Sequence, residues 1–564
     1  MRQYFSTAEK GDDAERAFLC ATSFSPFSAV LSYVIWIYMH QKLCSLFLFL
    51  FFSCALLAQD IDVQHYRFEI NLADETNAIE GRATIQLQFL QPVQSFALDL
   101  AGPAYNKGMK LGTVSGPGVL RYEQKNDKVW IHLQTIPAAG STKTFTINYS
   151  GVPADGLIIS TNRYGDRTFF ADNWPNRAHQ WIPCHDTPAD KASVEFIVTA
   201  PPHYQVISNG LQVEETLVEG HKKRTHWKEE IPISTKVMVI GAAHFAIRQY
   251  HDSTCRVSVT AWVYPQDQDK GFEDFAPATG ILQFFTNYIG PYPFEKLANV
   301  QSTTIFGGME NASAIFYAEN VVTGTRRAEA LIAHEVAHQW FGNMATEKSF
   351  AHLWLSEGFA TYLAHLYLEQ QYGHDTLLKR LQEDRREVIA FSKRWNRPVV
   401  DSVSDLMDLL NANSYQKGGW VLHLLRQEVG DSLFKNIIQT YYQQYKGRNA
   451  DTWDFKRVAE TVSGKDLTLF FNQWLFQSRL PRLEVKWRSS GQDMIVTVKQ
   501  TQAPVFQFPL QLGITTEKGN SRLETLTITR QDETFKIPIA EGVKQVALDP
   551  QVRLLFEGSL QEVK

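Results

Sequence analysis

Near residue 258 the apolar pattern of this 564-residue chain changes period, and that change limits the fold more than any single motif. Between 61 and 258, "YRFEINL", "GRATIQLQFL", "KTFTINYS" and "KASVEFIVTAP" alternate apolar and polar residues between Gly, Pro and Asn turns, as half-buried strands do. Between 259 and 480 the repeat is helical in "FAPATGILQFFTNYIG", "RRAEALIAHEVAHQWFGN", "GFATYLAHLYLEQQYG" and "GGWVLHLLRQEVG". Several of these end in Gly or Asn, residues that favour helix C-termini. After "SRLPRLEVKW" short strands return. The expectation is a multidomain α+β protein with an N-terminal all-β domain over 59–258, a mainly helical domain over 259–480 and a small C-terminal β-sandwich over 481–564.

The first 58 residues need a different reading. "LCSLFLFLFFSCALLA", residues 43–58, is an apolar run preceded by "MHQK" and ended by the small Ala58, the layout of a secretory signal. Residues 39–58 then form the signal peptide, Met39 is the natural initiator, and 1–38 is an over-extended start. The upstream patch "AVLSYVIWIY" keeps an uncleaved anchor open as the alternative, and "FFSC" ending at Cys54 weakly resembles a lipoprotein acylation site. The expected location is therefore the periplasm, the cell envelope or the medium, with membrane contact only if the leader is retained or Cys54 is lipidated. Cys184 and Cys255 alone would remain in the mature chain, too few for a disulfide framework; they can pair, although separate buried thiols are favoured. A net charge of −5 without basic blocks gives no footprint for nucleic acid.

The chemistry concentrates in "LIAHEVAHQWFGNMATEKSFAHLWLSEGFATY", residues 331–362. His334 and His338 stand one helical turn apart, so both imidazoles can reach one zinc ion with Glu335 beside them as a base. The bland alternative is a pair of packed histidines. "ALIAHEVAHQWF" is apolar nearly all round, however, and burying two imidazoles and a carboxylate without partners is costly. A metal supplies the partner. Catalytic zinc commonly takes three protein ligands, and Glu357 in the next helical stretch is a suitable third. The rival pattern with a third His is absent, since Phe341 and Met344 occupy its Gly and His places. Upstream, the paired glycines of "IFGGMENASAI" allow a close backbone approach, with a plain turn as the alternative. Downstream, "NSYQKGGWVLHLL" sets Tyr415 just before a helix, as a hydrogen-bond donor or a packed aromatic.

These motifs together resemble the M1 family of zinc aminopeptidases. H-E-x-x-H followed by eighteen residues and Glu matches His334, Glu335, His338 and Glu357, and G-x-M-E-N matches Gly307 to Asn311. "GPYPFEKL", "YQKGG" and "PCHDTPADKASVEF" are also similar to family sequence. The resemblance implies a thermolysin-like catalytic domain and one zinc per chain on His334, His338 and Glu357. It implies Glu335 as general base, Tyr415 as donor to the oxyanion, and Glu310 as the anchor for the free α-ammonium of a peptide. Gly307 and Gly308 would leave room for the peptide backbone, which Met309 helps to line. Two departures accompany it. Trp174 occupies the place of a second amine-binding Glu or Gln, and the sequence ends after the small β domain, implying a more open site. An epoxide hydrolase of the leukotriene A4 hydrolase type and a catalytically inactive peptide-binding scaffold are the alternatives.

Overall fold

The strand Ile61–Asn71 shows how the first region is built: Ile61, Val63, Tyr66, Phe68 and Ile70 are buried, with an irregularity between Val63 and His65 that shifts the phase of the alternation. The chain is described from a computed structural model covering residues 59–250 and 257–563, so the leader reading over 1–58 and Cys255 lie outside the described residues. Cys184 is a buried free thiol. Ile61–Asn71 lies inside a seven-stranded sheet in the order Leu211–Val218, Lys222–Ser234, Lys191–Ala200, Ile61–Asn71, Ile79–Phe89, Thr142–Val152, Gly108–Ser115. Only its pairing with Lys191–Ala200 is parallel. Smaller sheets of four and three strands complete this β-rich region.

The region that follows is helical and β together, its helices accompanied by one sheet that the sequence pattern did not announce. Ala246–Tyr250, Ser258–Val263, Lys296–Ser302, Ala314–Ala318 and the two-residue edge strand Gly308–Met309 form a five-stranded sheet, in that order. The sheet therefore straddles residue 258. Its central strand "KLANVQS" is buried at every position and leaves no alternation to read. The two faces serve different cores. Leu297, Ile315 and Tyr317 belong to the cluster of the helices, whereas Ala298, Val300, Ala314 and Phe316 belong to that of the N-terminal sheets.

On the first face lie Glu329–His338, Trp354–Tyr372, His374–Arg394, Gly418–Val429 and Asp431–Tyr445. Trp354–Tyr372 is buried from Trp354 through Leu368, the middle of the helical core. Beyond residue 481 two sheets follow, one of four strands around Arg482–Ser490 and one of three around Phe508–Thr516. Their apolar side chains, among them Trp487 and Ile514, join the helical cluster, and buried Asp549 pairs with Arg385 of the helix His374–Arg394.

Lys236, from the β-rich region, and Glu347, nine residues past His338, form an ion pair with both side chains at 1% exposure or less. Burial pushes the Glu347 carboxyl upward, and the Lys236 ammonium opposes it. Removing one partner strands a buried charge. Lys236→Met should destabilise the protein by about 3–5 kcal/mol, while Lys236→Met combined with Glu347→Leu should recover most of that loss. Urea unfolding of the single and double variants measures both, and an additive loss in the double variant would refute the pairing.

Candidate active site

Two helices pack side by side. The C-terminus of Glu329–His338 meets the start of Trp354–Tyr372, where Ser356 Oγ lies 3.1 Å from His338 Nδ1. At the other end Tyr367 and Tyr372 donate to the Glu329 carboxylate, so the helices run antiparallel. The connection begins with a tight turn. Gly342 has φ +118°, and a Cβ there would sit 2.4 Å from Ser356 Oγ and 3.0 Å from His338 Nδ1. A side chain at 342 would push the second imidazole aside.

His334, His338 and Glu357 converge. His334 Nε2 and His338 Nε2 are 3.0 Å apart, and Glu357 Oε2 lies 3.3 Å from the first and 3.2 Å from the second. The three form a group able to hold a metal ion. His338 Nδ1 faces the Phe341 carbonyl at 3.1 Å, a bond that places its proton there and turns the Nε2 lone pair inward. Glu357 lies in the first turn of its helix. Burial raises the Glu357 carboxyl, but His338 and the hydrogen bonds of both imidazoles outweigh it and bring the group below the usual carboxylate range. Burial also lowers His334, whereas Glu357, with Glu310 and Glu335, lifts His338 against its own desolvation to about 10.

Glu335 is buried beside this group, and desolvation pushes its carboxyl well up; Glu310 and Glu357 add to the rise, and His338 opposes it. The edge strand Gly308–Met309 runs against it. A Cβ on Gly308 would lie 2.3 Å from Glu335 Oε1, whereas one on Gly307 would meet only Leu331 Cδ2, at 3.8 Å. The close approach that requires glycine is thus with Glu335, at Gly308. Met309 is buried in the core and its neighbour Glu310 is 5% exposed. Glu310 Oε1 is buried without a hydrogen-bond partner, and Glu310, Glu335 and His338 place ligand atoms within 4.8 Å of one another. The Glu310 carbonyl is gripped by Gln339 Nε2 at 2.9 Å and Asn343 Nδ2 at 2.6 Å. Sequence reasoning missed both amides; their signal is a pair of polar residues following His338 in an otherwise apolar stretch.

Tyr415 lies in the π-type turn Asn413–Lys417 before Gly418–Val429, with its ring stacked on His334 at 5.9 Å and 18°. Burial, then Glu357, Glu310 and Glu335, hold its hydroxyl well above the ordinary tyrosine value, so it stays a donor. Tyr415, Glu310, Glu335, His334, His338 and Glu357 line one cavity of about 410 Å³. Trp174, 2% exposed, also lines it, edge-on to Phe306 and Phe350, and its Nε1 has no partner. A larger hollow of about 670 Å³ over the outer face of the seven-stranded sheet holds none of this chemistry.

Two histidines of one helix and a glutamate of the next, with a further glutamate alongside, thus form a His/Glu group that could hold a metal ion, set in the wall of a cavity. Residues 274–474 match the Peptidase family M1 domain, and residues 62–237 match the Peptidase M1 N-terminal domain. The chain belongs to peptidase family M1. It is 24% identical over 516 residues to probable aminopeptidase 1 of Sulfurisphaera tokodaii, a match over 86% of this chain and 61% of the relative. It is 27% identical over 503 residues to the glutamyl aminopeptidase of Rattus norvegicus, over 81% of this chain and 52% of the relative. With aminopeptidase M1-C of Oryza sativa it shares 28% identity over 367 residues, 61% of this chain and 41% of the relative. The chain thus spans only part of the length of the curated relatives it matches.

Proposed function

We propose that the protein is a zinc aminopeptidase that hydrolyses the N-terminal peptide bond of peptides. The observation that carries the reading is the buried, unpartnered Glu310 carboxylate oxygen beside the triangle of His334, His338 and Glu357. The triangle suits zinc. A tetrahedral ion with bonds of about 2.0–2.1 Å separates its ligands by about 3.3 Å, against the 3.0, 3.2 and 3.3 Å found here. When bound, zinc supplies a Lewis acid and lowers the pKa of water toward neutrality.

The chain's own groups do the rest. Glu335 takes the proton of the attacking water and passes it to the departing amine nitrogen. Tyr415 donates to the oxygen on which negative charge grows as the carbonyl is attacked. Glu310 pairs with the α-ammonium and so counts one residue from the chain's end; Gly307, Gly308 and Met309 flank the peptide backbone. Supporting domains would be the β domain at 59–258, a thermolysin-like catalytic domain at 259–480 and a β-sandwich at 481–564. Export is proposed on the apolar run at 43–58, and N-terminal sequencing of the native protein should read Gln59 first; a chain retaining residues 1–38 would refute cleavage.

Chelation should abolish turnover, and His334→Ala or Glu357→Ala should lose metal and activity together. Glu335→Gln should keep zinc and the fold but lower turnover by roughly 10²–10⁴, and Tyr415→Phe should lower kcat more than it changes KM. Metal analysis beside steady-state kinetics checks each outcome; a metal-free enzyme of full activity would end the zinc reading.

Free-amine substrates should exceed their acetylated counterparts by roughly one to three orders of magnitude, because an acetylated end leaves the Glu310 carboxylate buried and unpaired. Glu310→Ala should erase most of that preference by slowing the free-amine substrates. Equal hydrolysis of the two by the unmutated enzyme would instead mark an endopeptidase.

A further inference from the structure

The cavity continues past the metal group, and its far end has a chemistry of its own. The antiparallel helices give it a direction. Glu310, His338 and Glu357 lie at one end of the helix pair. Leu331 lies one turn before His334, and Thr361 and His365 follow Glu357 at steps of four along the same face of Trp354–Tyr372. His365 is eight residues, or about 12 Å of helix, beyond Glu357. A peptide whose ammonium is held at Glu310 and whose first carbonyl lies at the metal group must send its next side chain toward Leu331, Thr361 and His365.

That end closes on His365 and Asp384, an imidazole and a carboxylate joined at 2.8 Å, both buried and both lining the cavity. Asp384 comes from the separate helix His374–Arg394. The nearby cations are engaged elsewhere: Arg385 with Asp549, and Arg380 with Glu383. Among the described residues the cavity is lined by four carboxylates, those of Glu310, Glu335, Glu357 and Asp384, and by no lysine or arginine. Three of the four belong to the metal and amine end. Asp384 stands apart, hydrogen-bonded to the His365 imidazole.

We propose that this end of the cavity is a subsite for a basic side chain, lysine or arginine, on the residue that follows the scissile bond. The inference rests on the aminopeptidase reading, which sets the direction of the peptide. Leu331 and Leu410 are the apolar walls along which the methylene stem lies, and the cation ends at Asp384. A glutamate in the same place would meet a carboxylate with no cation to relieve it, and norleucine would reach the floor without pairing.

The test uses the zinc-loaded full chain on the tripeptide amides Leu-Lys-Gly, Leu-norleucine-Gly and Leu-Glu-Gly, with kcat/KM for release of leucine as the readout. Lysine should exceed norleucine by about tenfold or more, and glutamate should be the poorest. Asp384→Asn should bring the lysine-to-norleucine ratio close to one. Gln416→Lys, which adds a cation to the wall from a half-buried position, should lower that ratio and raise glutamate even if the first variant fails to fold. Equal rates for the three peptides, or ratios unmoved in Gln416→Lys, overturn the subsite alone. No release of leucine from any of them with metal bound overturns the aminopeptidase reading and the subsite with it.

Discussion

Like charges held together in a dry place set the terms for the rest of the molecule. Glu310, Glu335 and Glu357 are each 5% exposed or less and, among the described residues, share one cavity with three imidazoles and no lysine or arginine. Left to themselves such groups move apart or take up protons, and burial does push Glu335 toward its protonated form. The surrounding backbone prevents the separation. Gln339 and Asn343 hold the Glu310 carbonyl, the Phe341 carbonyl and Ser356 hold His338, and Gly308 lets the edge strand close over Glu335. A divalent cation reverses the balance, because the carboxylates that repel one another all gain from it. The scaffold thus holds together a His/Glu group that could take up a metal ion.

That scaffold reaches into the β-rich region. Lys191 donates to the carbonyls of Asn343 at 2.9 Å and Met344 at 2.8 Å, in the turn that follows His338. Lys191 is half-buried, and desolvation, with the neighbouring Lys236, lowers its ammonium to about 7 against the pull of Glu347. The strand Lys191–Ala200 and the turn carrying Asn343 are therefore held in one geometry, and the amide grip on Glu310 depends on both.

The parts of the site that can be read in the sequence are those whose partners are local or follow a helical step. His334 and His338 are one turn apart, and Glu357 follows in the next helical stretch. The pairing of His365 with Asp384 is illegible, because Asp384 lies nineteen residues beyond His365 on a different helix and their contact is purely tertiary. The alternation of "YRFEINL" is legible since one face is buried; "KLANVQS" is not, because both of its faces are. Gly308 reads as a turn or a close approach, but nothing in "IFGGMEN" names Glu335 as the group it admits.

The two-faced sheet also governs how the chain can be divided. Phe170 of the β-rich region lies edge-on to Phe316 of the central sheet at 5.4 Å, and Ala298, Val300 and Ala314 share that core. A helical half expressed from residue 259 would lose the strand Ala246–Tyr250 from the sheet's edge and bare this apolar face to water. The boundary where the sequence changes period is therefore no seam for cutting. Melting of the β-rich half strips one side of the layer that carries Glu310, so loss of the scaffold and loss of the pocket belong to one cooperative event.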